Sequence, residues 1–91
     1  MSVMTKLQFE NISDREKTRT FAADTFGISE KDAPNLDALA DCLSEVTEET
    51  AVKVGREALI QICKDDYAYR FLRVLSAAAD ENPHLHLLIT R

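Results

Sequence analysis

The chain has 91 residues, with 16 Asp+Glu against 11 Lys+Arg, two Cys, two Gly, two Pro and no Trp. That length predicts one domain over residues 1–91, and 45% hydrophobic with 30% charged residues is a globular rather than a disordered composition. A formal net charge of −5 argues against the phosphate backbone of nucleic acid as the main ligand and toward a basic partner.

The N-terminal Met1-Ser2-Val3-Met4-Thr5-Lys6 lacks the apolar run of a signal peptide, and no stretch approaches the ~18 apolar residues of a membrane span. The expectation is a cytoplasmic protein with no membrane contact. Lys6-Leu7-Gln8-Phe9 alternates and predicts a first strand. Ser13 and Glu16 form a capping-box pattern that opens a helix with Phe21, Ala22 and Phe26 on its apolar side, and Gly27 suits the left-handed position that ends it. A polar loop from Ser29 to Pro34 follows.

Leu36, Leu39, Ala40, Leu43 and Val46 recur at intervals of three and four, which predicts a second helix with Asn35 as its N-cap. Ala51 to Val54 reads as a second strand. Arg56 to Cys63 suits either a helix or a strand, and the helix is the preferred reading. Asp65 or Asp66 caps a fourth helix carrying Tyr67, Phe71, Val74, Leu75 and Ala78, and Asn82-Pro83 stops it. His84 to Thr90 reads as a last strand, its run Leu87-Leu88-Ile89 suggesting burial on both faces. Long helical connections require parallel strands, so the predicted fold is α/β: a three-stranded parallel sheet packed by about four helices, in the order β-α-α-β-α-α-β.

Between Asp32 and Val52 the chain carries six acids (Asp32, Asp37, Asp41, Glu45, Glu48, Glu49) and no base. Lys31 and Lys53 bracket the window. The rest of the chain holds ten acids and eleven bases, so this window exceeds the whole net charge. Asp37, Asp41 and Glu45 are four apart and share one helical stripe, where like charges cost about 0.2–0.5 kcal/mol per pair. Asp37 in the first turn is favoured by the helix dipole; Asp41 has no Lys or Arg within helical reach. The stripe is either a solvated face, the commoner meaning of a charge run, or a docking surface for a basic cleft that would relieve its uncompensated repulsion on binding.

No Ser-His-Asp, Cys-His or phosphate-loop arrangement is readable, and two glycines make no Gly-rich loop, so neither an enzyme nor a cofactor is expected. Cys42 and Cys63 match no metal or redox spacing and read as core thiols. His84 and His86 share one face of a strand; as two metal ligands they fall short of a site, and a polar strand face or edge is the preferred reading.

The run Asn35-Leu36-Asp37-Ala38-Leu39-Ala40-Asp41-Cys42-Leu43 resembles the barstar family of ribonuclease inhibitors, whose second helix shows N-L-D-A-L-W-D-C-L. Phe26-Gly27-Ile28 is also similar, and the likeness in element order spans essentially the whole chain. The resemblance implies a protein that plugs the active site of a small secreted ribonuclease inside the producing cell, using the second helix and the loop before it. It implies Asn35, Asp37 and Asp41 as contact residues, with Asp41 in the substrate-phosphate site. With Glu45 on the stripe and Lys31, Asp32 and Ala40 at neighbouring family positions, these form the expected partner-binding surface. The family's Trp is replaced by Ala40, its Tyr-Tyr-Gly by Lys31-Asp32-Ala33, and a contact Glu on the fourth helix by Ala77. The resemblance thus carries the fold and the acidic core of the site, but not the target's identity. The partner expected is a basic protein, a small secreted-type ribonuclease or toxin, bound by a monomer. The alternative is a barstar-fold interaction or regulatory module whose partner is not a nuclease.

Overall fold

The computed structural model describes residues 3–29 and 31–90. Met1, Ser2, Glu30 and Arg91, which fall in the terminal and loop segments read above, lie outside the described residues. The elements are β1 (Val3–Leu7), a 3-10 turn (Phe9–Ile12), α1 (Arg15–Phe26), α2 (Leu36–Ser44), β2 (Thr50–Val54), α3 (Arg56–Cys63), α4 (Asp66–Glu81) and β3 (Leu85–Ile89). The strands form one parallel sheet in the order β1-β2-β3. This is the α/β architecture the helical connections predict.

Several boundaries differ from the sequence reading for local reasons. The first strand runs over Val3–Leu7 rather than starting at Lys6, because it pairs along the full length of β2, from Val3↔Thr50 to Leu7↔Val54. Phe9 leaves the strand for the 3-10 turn, where the backbone N–H of Gln8 donates to Asn11 Oδ1 at 2.9 Å. The N-cap of α1 is Asp14, which accepts from the Lys17 N–H at 2.8 Å; Ser13 instead turns its hydroxyl back to the Glu10 carbonyl. Gly27 ends α1 at φ 71°, the left-handed conformation that costs an L-side chain about 1–2 kcal/mol. Residues 56–63 are helical, and Asp65 caps α4 through a 2.9 Å bond from the Ala68 N–H.

The pleat and register sort the sheet into two faces. Leu7, Val52, Val54 and Leu85 are buried among Ile12, Ile62, Phe71 and Leu75 from the helical layer. Phe21 of α1 meets Phe71 of α4 edge to face at 6.0 Å. The opposite sheet face carries the rows Met4-Ala51-His86 and Lys6-Lys53-Leu88 and is largely open to solvent. Burial of β3 on both faces is therefore corrected: Leu88 points outward and Ile89 ends an edge strand, and each is 45% exposed. Cys63 is also corrected, being exposed at the last turn of α3, while Cys42 is partly buried; both thiols are free. Tyr67 is only half-buried, whereas Phe71 is fully enclosed.

Candidate partner-binding site

The site is built on α2, a helix of nine residues. Isolated helices this short are marginal in water, so tertiary contacts must hold it. Leu39 and Leu43 are buried against the helical layer, each contributing about 1.5–3 kcal/mol of apolar burial. At the N-terminus, Asn35 Oδ1 accepts from the Ala38 N–H at 2.8 Å. At the C-terminus, the buried Asn82 side chain donates to the carbonyls of Leu43 and Val46, both at 2.9 Å. The Asn82 side-chain oxygen accepts from the His84 N–H at 2.9 Å, so one residue ties the ends of α2 and α4 to the start of β3. Sequence reasoning took Asn82-Pro83 only as a helix stop and missed this latch.

The opposite side of α2 is the acidic face. Asp37 and Asp41 are exposed within the helix, and Glu45 is exposed at its C-cap rather than in its last turn. Among the described residues none of the three carboxylates takes part in an ion pair or a side-chain hydrogen bond. Glu45 stands where the helix dipole disfavours a negative group, and the last turn of α2 holds no basic residue. Partial burial, then the charges of Asp32, Glu45 and Asp41, push the Cys42 thiol above its ordinary range.

The preceding loop is fastened to the helix. Ser29 Oγ donates to Asp32 Oδ2 at 2.9 Å, the Ala33 N–H reaches the Ser29 carbonyl at 3.1 Å, and the Cys42 thiol meets the Asp32 carbonyl at 3.6 Å. Arg19 donates to the Pro34 carbonyl at 3.3 Å. Lys31 and Asp32 are exposed on this loop, and Ala40 is half-buried between the two aspartates of the helix. The seven residues expected to meet a partner thus lie on α2, its C-cap and the adjoining loop. Asn35 has its carbonyl oxygen committed to the cap, which leaves its amide N–H groups for a partner.

Glu49 does not belong to this ridge. Just before β2, it pairs with His86 Nε2 of β3 at 2.8 Å and with His84 Nδ1 at 3.0 Å, His84 lying one residue before β3 rather than opening it. Hydrogen bonding to His86, then to His84, holds its carboxyl below the ordinary glutamate range. Each imidazole addresses a different carboxylate oxygen, and among the described residues no group of three His, Cys, Asp or Glu is placed to hold a metal ion. Among the same residues, no helix is long and apolar enough to cross a membrane.

A family model described as barstar (barnase inhibitor) matches residues 3–89. No curated protein matches the chain. The parallel three-stranded sheet and its helical layer agree with that match, and the chain belongs to the barstar family.

Proposed function

We propose that the protein is a cytoplasmic inhibitor or immunity protein, acting as a monomer over residues 1–91, that blocks the basic active-site cleft of a small ribonuclease. The observation that carries this reading is the exposed, unpaired pair Asp37 and Asp41 on a helix pinned at both ends. It works by occupancy rather than catalysis. Carboxylates on a fixed helix stand in for RNA phosphates and pair with the cationic groups that would hold them. Exclusion of water strengthens each pair, and the excess negative field speeds encounter with a basic protein. Lys31, Asp32, Asn35, Ala40 and Glu45 complete the contact surface.

The aromatic anchors of the family pattern are absent at Lys31, Asp32 and Ala40, and large aromatics are common interface hot spots. The family pattern therefore does not carry barnase over as this protein's target. The same absence favours the second reading, a regulatory module with a non-nuclease partner. RNA-cleavage assays with a panel of small basic ribonucleases, together with affinity capture from the native cell, decide between them. The inhibitor reading expects at least one ribonuclease to be silenced by an equimolar amount of protein. Capture of non-nuclease partners alone, with every ribonuclease unaffected, replaces it with the regulatory reading.

A further inference from the structure

Beside the acidic ridge lies a groove of about 640 Å³ between the N-terminus of α2, the start of α1 and the outer side of α4. Arg15, Arg70 and Arg73 line it together with Tyr67, Asn35 and Asp37. All three arginines are exposed, and among the described residues none is in an ion pair, although Asp37 borders the same groove. Arg15 occupies the first position of α1, where the helix dipole disfavours a cation. Arg73 lies over the Tyr69 ring at 6.0 Å. A chain of net charge −5 thus places three guanidinium groups in one groove with Asp37, at the start of its acidic α2.

We infer that this groove is the second half of the partner interface and takes carboxylate side chains from the acidic rim of the protein whose basic cleft receives α2. The inference rests on the inhibitor reading and deepens it: the partner is bipolar, with a cationic cleft bordered by Asp or Glu. The guanidinium fork matches a carboxylate in bidentate geometry, which gives register as well as attraction. A polyanion such as RNA fits poorly, because its next phosphates would run onto the ridge of Asp37, Asp41 and Glu45 within a Debye length of roughly 10 Å. Single carboxylates on a folded surface avoid that repulsion. The pairing also adds specificity, since a uniformly basic protein would meet the arginines with like charge.

The experiment uses the ribonuclease silenced in the cleavage assay and compares its affinity for the wild type, Asp41→Ala and the double variant Arg70→Glu/Arg73→Glu. The double reversal is expected to weaken binding by about tenfold or more while the urea midpoint of the free protein holds. Arg70→Gln/Arg73→Gln serves as the milder pair if the reversal disturbs folding. In the complex, carbodiimide treatment of Arg73→Lys is expected to give an amide to a partner Asp or Glu that the wild type lacks, located by mass spectrometry. If Asp41→Ala weakens binding but both arginine pairs leave it unchanged or tighter, the groove assignment is overturned and the inhibitor reading stands. If no ribonuclease is silenced, or Asp41→Ala is also without effect, both fall. If a fluorescein-labelled oligoribonucleotide binds the free protein through these arginines, the groove is a nucleic-acid site and the carboxylate assignment is overturned.

Discussion

Asp41 sits at the centre of α2 with Asp37 one turn before it, Glu45 one turn after it, and no cation in helical reach. The effect of that arrangement is measurable on Cys42, whose thiol is pushed up by partial burial and by Asp32, Glu45 and Asp41. Alkylation by iodoacetamide near neutral pH should therefore be slower at Cys42 than at the exposed Cys63, since the thiolate is the nucleophile. Asp41→Asn should speed the Cys42 reaction, and Asp32→Asn should speed it more, in the order of their effects on the thiol. Unchanged rates in both variants would mean that these carboxylates exert no field on Cys42. Glu49 offers a second residue-level test. Its carboxyl is held below the ordinary range, so it contributes stability above the unfolded glutamate value of about 4.3 and loses it as pH falls through the lower folded value. The difference in urea midpoint between wild type and Glu49→Gln should be present at mildly acidic and neutral pH and close in strong acid. A difference independent of pH would show that the carboxylate charge plays no part.

At the scale of elements, α2 is a rigid platform because its two ends and its apolar side are fixed independently. Asn82 is the least replaceable of these supports. Its removal leaves the carbonyls of Leu43 and Val46 without their donor, and Asn82→Ala should destabilise the protein by about 2–4 kcal/mol in urea unfolding. A loss under about 0.5 kcal/mol, typical of surface sites, would contradict the latch. What the sequence revealed and what it concealed divide along the same line. The leucine spacing of α2, its Asn35 cap, the left-handed Gly27 and the Asp65 cap were legible because each is settled within a few residues. The Asn82 latch reaches back 39 and 36 positions, and Glu49 meets its histidines across 35 and 37, so no local pattern announces either. Cys63 was misplaced because Ala58, Leu59, Ile60, Ile62 and Cys63 mark no single helical face. Leu88 was misplaced because an apolar run does not say which face of a sheet the helices will cover.

The whole molecule separates its charge. The carboxylates face outward along α2, Arg15, Arg70 and Arg73 gather in the groove beside it, and among the described residues no ion pair joins the two sets. On the proposed reading this separation serves binding, since a partner with the complementary pattern would relieve the repulsion that the free protein carries. Of the candidate site, the acidic stripe was legible in the sequence, since α-helical period alone aligns Asp37 and Asp41. The arginine groove was not, because it joins α1, α2 and α4 only through their packing. The most direct test of the central claim is titration calorimetry of the silenced ribonuclease into wild type and Asp41→Ala, paired with urea unfolding of each free protein. The account predicts a binding loss of about 2–5 kcal/mol, the range for a buried interfacial charge left unpaired, with a urea midpoint unchanged or slightly raised. Undiminished affinity together with a marked fall in stability would make Asp41 a structural residue and contradict it.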